Sequence, residues 1–199
     1  MRQRNPWVSI SDLLSSVVLI LLLLFVMASI VPRYTQEAQR RDMMDQIEQA
    51  LQEYEENGQI KVHPDTGMLE FTSVTFNSGS AEVTPQTMQA VADLSEKLKA
   101  YMDENANMEI LIEGHTDPAA ISQVINKGGY FSDNIQLSTL RAANVRAALL
   151  KYLGGEYASR IGVAGYGETR LKNSADPLAA ENRRIEIRIL WNGSKEGGI

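Results

Sequence analysis

Three charged side chains in this 199-residue sequence stand out by position. Asp12 is the only charge between Val8 and Val31. A carboxylate inside a bilayer helix costs at least about 2.5–3.5 kcal/mol on insertion scales, so it should face protein or water. The plainer alternative is a helix-start residue at the headgroup boundary. Asp12 lies only about 6 Å inside Val8, and an acidic group near a helix N-terminus is favourable. Asp117 and Arg141 flank a polar loop and, taken alone, read as a loop-to-helix ion pair. His115 has no second histidine or any cysteine near it. It therefore reads as a strand-end residue fixed by hydrogen bonds, not as a base or a metal ligand. No nucleophile elbow, phosphate loop or metal-spaced cluster occurs, so the expectation is a binding protein, not an enzyme, with no cofactor.

The elements around these residues fall into two kinds. Leu13–Val31 is uncharged and dominated by Leu19–Phe25, and the apolar block extended back to Val8 has 24 residues. Such a helix spans about 36 Å, more than the roughly 30 Å hydrocarbon core. A cleaved signal peptide would be shorter and would end in small residues, whereas this block ends Ser29-Ile30-Val31-Pro32-Arg33. The expected organisation is a cytoplasmic N-terminus over 1–7, a membrane helix over 8–31 and a connector over 32–65. A domain over 66–191 and a tail over 192–199 complete it. Arg2 and Arg4 are nearly balanced by Arg33, Arg40 and Arg41, so orientation depends on what the C-terminal domain binds. A net charge of −6 without a Lys/Arg cluster argues against nucleic acid. The absence of cysteine decides nothing about compartment.

In the connector, Met44, Ile47, Leu51 and Tyr54 recur at helical spacing, predicting an amphipathic helix from about Thr35 to Asn57, stopped near Gly58. That seam is expected to pair with a second copy, with packing on the chain's own domain as the alternative. Met68–Phe76 alternates like a strand and Asn77-Ser78-Gly79-Ser80 forms a turn. Thr84-Pro85 opens a helix bearing Val91, Leu94, Leu98 and Tyr101. Met108–Ile112 is a short strand. Ser138 is expected to cap a helix bearing Leu140, Val145, Leu149 and Tyr152, closed by Gly154-Gly155. Ile161–Ala164 and Arg184–Trp191 are the last strands. The order β-α-β-α-β-β predicts an α+β fold with helices on one face of a mixed sheet.

Four pieces appear in order: Gly114-His115-Thr116-Asp117, Asn134-x-x-Leu137-Ser138-x-x-Arg141-Ala142, Gly165-Tyr166-Gly167-Glu168 and Asn182-Arg183-Arg184. Together they resemble the OmpA-like peptidoglycan-binding family over roughly residues 66–191. The resemblance implies that Asp117 and Arg141 grip the amino and carboxylate ends of diaminopimelate in the peptidoglycan stem peptide. It also implies that Thr116, Asn134, Leu137 and Arg184 line the pocket. A zwitterion needs one anionic and one cationic partner, and a guanidinium takes a carboxylate through two parallel hydrogen bonds. The stretch Pro118–Asp133 is longer than the family's usual loop, and its Gly128-Gly129-Tyr130-Phe131 could cover or reshape the pocket.

The segment Pro6-Trp7-Val8-Ser9-Ile10-Ser11-Asp12-Leu13-Leu14, leading into the apolar helix, resembles the membrane segment of B-type stator subunits of ion-driven rotary motors. Flagellar MotB, ExbD, TolR and the ZorB subunit of Zorya anti-phage systems belong there. The resemblance implies that Asp12 carries a proton or sodium ion, with Trp7 and Ser11 near the ion path. It implies two copies of the chain inside a pentamer of a multi-span A-type (MotA/ZorA-like) subunit, in the bacterial inner membrane, with the C-terminal domain periplasmic. The short N-terminus and brief connector favour the Zorya type over flagellar MotB, and ExbD and TolR lack an OmpA-type domain. The competing class is a structural tether between inner membrane and peptidoglycan, with no motor.

Overall fold

The computed structural model describes residues 6–72, 76, 80–119 and 132–191, without the side chains of residues 6, 8, 9, 32, 33, 35 and 36. The chain divides into two units, Met1–Asp42 and Met43–Ile199.

The described residues of the first unit, 6–42, lie in helix α1 (Pro6–Glu56). Its stretch Ile10–Val31 is long and apolar enough to cross a membrane, with a mean hydropathy of 2.9, and none of it is buried by protein. The polar turn within it satisfies its own hydroxyls. Ser15 Oγ donates to Ser11 O at 2.8 Å and Ser16 Oγ to Asp12 O at 2.9 Å, so the hydroxyls need not seek water. Where two helices were expected, over 8–31 and about 35–57, one helical element covers both ranges.

The second unit is the expected α+β arrangement, with one strand more than the sequence suggested. After the end of α1 come β1 (Ile60–His63), β2 (Met68–Phe71), α2 (Pro85–Glu104), β3 (Met108–His115), α3 (Asn134–Leu153), β4 (Ile161–Gly167) and β5 (Arg184–Trp191). Short 3-10 turns cover Gly155–Arg160 and Ala180–Asn182. The sheet order is β1-β2-β5-β3-β4. Among the described residues β3 and β4 pair in parallel, around the α3 crossover, and the other strand pairs are antiparallel.

Alternation along the strands divides the sheet into two faces. Leu69, Phe71, Ile110, Ile112, Ile185, Ile187 and Ile189 join Leu94, Leu98, Val145 and Leu149 in one apolar core on the helix side. Met43, Met44, Ile47 and Leu51 of α1 are fully buried in the same core. The seam expected to pair across a dimer is therefore used up on the chain's own domain. Tyr54 seals that packing by donating its hydroxyl to Asp93 of α2 at 2.7 Å. Burial and that acidic partner push the Tyr54 hydroxyl up to about 12. The connector also supplies β1, which forms a hairpin with β2 through a turn closed by Gly67 at φ 67°. The domain thus begins well before residue 66.

Two local expectations change. Thr84 and Pro85 do open α2, but α3 starts at Asn134 with Asp133 as its cap, its carboxylate accepting from the Gln136 amide at 2.7 Å. Ser138 lies inside α3, fully buried, donating to Ile135 O and accepting from the Gly167 amide at 2.9 Å. The strand expected over Met68–Phe76 ends at Phe71, with Phe76 in an isolated bridge to Val83. The 118–133 loop and the 192–199 tail fall almost wholly outside the described residues.

Candidate functional site

The candidate residues sit where β3 ends and α3 begins. Gly114 and Gly165 lie under α3: a Cβ on Gly114 would stand 2.1 Å from Ser138 O, and one on Gly165 2.0 Å from Thr139 Oγ1. Any side chain at either position would lift α3 off the strands. Gly167 ends β4 at φ 53°, a conformation that favours glycine. It accepts from the Thr116 amide at 2.9 Å, which fixes the residue before Asp117.

On this platform Asp117 is nearly buried, at 9% exposure. One carboxylate oxygen accepts from the Ala119 amide at 3.1 Å, and the other from Arg183 at 2.6 Å. Arg141, at 7% exposure, points from α3 toward the same place. Its Nε donates to Ser80 O at 3.0 Å, and its guanidinium stacks 5.1 Å from the Phe76 ring centre. Asn144, one turn further along α3, donates to Ala81 O at 2.7 Å, so α3 holds the 80–81 segment through two side chains. Among the described residues the terminal nitrogens of Arg141 find no acceptor, and no ion pair within 4.0 Å joins it to Asp117. The loop-to-helix ion pair is thus replaced by a different one. Burial, then the charge of Arg183, push the Arg141 guanidinium down to about 10, with Asp117 opposing the shift. It stays charged at neutral pH.

The other expected pocket residues divide. Asn134 is the first residue of α3 and donates to Ala119 O at 3.4 Å, beside Asp117. Leu137 packs with Ala81 and Leu140. Thr116 is 3% exposed, and its hydroxyl has no hydrogen-bond partner among the described residues. Arg184 lies elsewhere. It opens β5 opposite His115 and donates to Glu186 at 2.8 Å on the helix-free face of the sheet. The preceding residue, Arg183, is the one that reaches Asp117. Alternation along a strand sends neighbours to opposite faces, and that rule, applied to Arg183-Arg184, was the signal available in the sequence. Asn182 serves the fold: its amide nitrogen donates to Asn173 O, Asp176 O and Pro177 O, tying down the loop before β5.

The helix-free face carries a layer of opposed charges. Glu70, Glu113 and Glu186 are buried and meet Lys172, Arg188 and Arg184. His115 lies in this layer at 2% exposure, stacked 5.5 Å from the Tyr166 ring. Neither ring nitrogen has a hydrogen-bond partner among the described residues, so stacking and burial fix it, not the hydrogen bonds expected. Burial first, then the surrounding arginines, push its imidazole down to about 4 against the pull of Glu186. Glu113, His115 and Glu186 bring ligand-type atoms within 4.8 Å of one another. Yet Arg188 bonds both carboxylates and Arg184 a third oxygen. A divalent cation would have to displace charges already matched there.

With the fold and this carboxylate–guanidinium group in view, the chain belongs to the OmpA family, whose profile matches residues 75–184. It is 33% identical over 119 residues to the probable lipoprotein YiaD of Escherichia coli (strain K12), across 59% of this chain and 48% of that protein. The chain therefore matches about half the length of that curated relative. Among solved structures it resembles a MotB-like protein from Desulfovibrio vulgaris, with a TM-score of 0.58 and 24% identity over 78% of this chain and 96% of that one. It also resembles the cell wall anchor of the T6SS from Pseudomonas aeruginosa, with a TM-score of 0.57 and 21% identity over 74% and 97%. The periplasmic domain of Helicobacter pylori MotB (residues 78–256) follows, with a TM-score of 0.52 and 19% identity over 64% and 78%. These similarities are of fold.

Proposed function

We propose that the chain is a single-pass inner-membrane protein whose periplasmic domain holds peptidoglycan, and that it serves as the B subunit of an ion-driven motor. The observation that carries the binding half is the ion pair of Asp117 with Arg183, with the buried Arg141 guanidinium close enough to feel both charges, at the end of β3 in an OmpA-family domain. A buried cation whose terminal donors find no acceptor among the described residues suits a ligand carboxylate, and a carboxylate beside it suits an ammonium. Diaminopimelate in a stem peptide offers both. On this reading the domain binds and does not catalyse.

The motor half rests on Asp12, one charge in an apolar helix, preceded by Trp7 and Ser11. Protonation relieves the cost of a carboxylate in the bilayer, so the group can load and release a proton or sodium ion. The partner is a multi-span A-type pentamer around two copies of this chain, with a Zorya-type defence motor as the preferred assignment and a flagellar-type stator next. No resident cofactor is needed. A non-motor tether is supported by the same fold, since the T6SS cell wall anchor shares it.

Two measurements separate these readings. Full chain in detergent, mixed with purified diaminopimelate-type sacculi, should sediment with them; failure to sediment removes the peptidoglycan reading. Co-purification with an A-type subunit encoded beside it, and ion flux in vesicles holding both, supports the motor. Wall binding without a partner or flux leaves the tether.

A further inference from the structure

Resting on the peptidoglycan reading above, we infer that Arg183 makes the site selective for stem peptides that present two free carboxylates beside the ammonium. One anion and two guanidiniums meet here, a formal balance of +1. In the described residues Arg183 occupies one oxygen of Asp117 at 2.6 Å, and its side chain is 40% exposed. Arg141 is the opposite case: buried, stacked on Phe76, and anchored to Ser80 O through Nε. Arg141 is fixed and Arg183 is able to move.

A ligand ammonium that takes the Asp117 oxygen held by Arg183 must share it with that guanidinium or replace it. Exchanging one cation for another at a single carboxylate gains little by itself. The exchange becomes favourable when the released guanidinium finds a new anion. A ligand carboxylate held by Arg141 does not serve, because Arg141 is already matched to it. The ligand must bring a second one. Diaminopimelate has two carboxyl groups: one beside its free amino group, and one at its other centre. The latter is free in a stem peptide that ends at diaminopimelate and lies in a peptide bond when a further residue follows. Arg183 thus reads the trimmed end of the stem peptide, and does so at the cost of its own contact with Asp117.

The test compares two synthetic muropeptides, a tripeptide ending in diaminopimelate with that carboxylate free and its C-terminal amide, by calorimetry with the full chain in detergent. Wild type should bind the free acid about tenfold more tightly, the yield of one charge-assisted contact. Arg183→Gln should bring the two affinities within about twofold of each other, and Arg183→Lys should restore part of the preference. A merely structural role for Arg183 would weaken both peptides equally. Equal affinities in wild type, or an undiminished preference in Arg183→Gln, overturn the inference while leaving peptidoglycan binding intact. Binding of neither peptide by wild type overturns the peptidoglycan reading and this inference with it.

Discussion

The Tyr54 hydroxyl of α1 and the Asp93 carboxylate of α2 meet at 2.7 Å, which ties the end of the long helix to the domain that follows it. Below this contact, Met44, Ile47 and Leu51 have no exposed surface. Leu51→Ala should therefore destabilise the domain by about 2–5 kcal/mol, the usual range for a buried leucine. Tyr54→Phe should cost about 1 kcal/mol. Urea titrations of the full chain in detergent check both. Met44→Cys should give no disulfide between copies in a dimeric assembly, because that side chain is buried in the core of its own domain.

Arg141 braces the 80–81 segment, and in the proposed site it also binds the ligand. Arg141→Ala removes the donor for a ligand carboxylate and should weaken binding to sacculi by about 2–4 kcal/mol. It also releases Ser80 O and Phe76, so a fall in stability should accompany it. Asp117→Asn isolates the ligand term, because it keeps the shape and loses the charge. Sedimentation with sacculi should drop for both, and the melting temperature mainly for Arg141→Ala. Undiminished sedimentation by both variants would remove Asp117 and Arg141 from the binding site.

If the chain is the motor subunit proposed above, Asp12→Asn should abolish ion flux through the complex with its A-type partner while insertion and partner binding persist, since the two side chains are nearly isosteric. Flux in vesicles, measured beside co-purification of the A-type partner, checks this. Full flux in the Asn variant would make Asp12 a helix-start residue.

His115 predicts an acid limb in stability. Its folded-state imidazole titrates at about 4 against an ordinary value of 6.5. The unfolded chain then binds more protons between those values, so stability falls as pH drops from about 6.5 toward 4, by up to about 3 kcal/mol. Glu186 is pushed up by burial but drawn down further by Arg184, His115 and Arg188. Its contribution is lost from the ordinary carboxylate range downward, as pH falls from the unfolded value toward the lower folded one. Denaturation midpoints of the full chain at pH 7, 6 and 5 should decline stepwise, and His115→Gln should flatten that decline. An unchanged slope in His115→Gln would assign the acid limb to the carboxylates.

Much of the fold was legible because its signals are local. Thr84-Pro85 marks a helix start through hydroxyl capping and a fixed φ, and α2 starts there. The periodicity of Met44, Ile47, Leu51 and Tyr54 marked an apolar face correctly. What covers such a face depends on contacts distant in sequence, which periodicity does not contain. The β1 hairpin was readable: Ile60–His63 followed by Pro64-Asp65-Thr66-Gly67 is a strand and a turn. It was overshadowed by the charged helix before it. The binding motif located Asp117, Arg141 and Asn134 together, but Arg183 and Arg184 are told apart only by strand parity.

The bare backbones of Gly114 and Gly165, with α3 lying flush upon them, have a consequence for recognition. The distance between β3, which ends beside Asp117, and α3, which carries Arg141, is set by two absent methyl groups. It cannot shrink, since the backbones already touch, and opening it would unseat Ser138 from the Gly167 amide. The site therefore works as a calliper locked at one gauge. Its jaws measure the separation of charges on whatever enters, and little conformational freedom is left to be lost when the right length arrives.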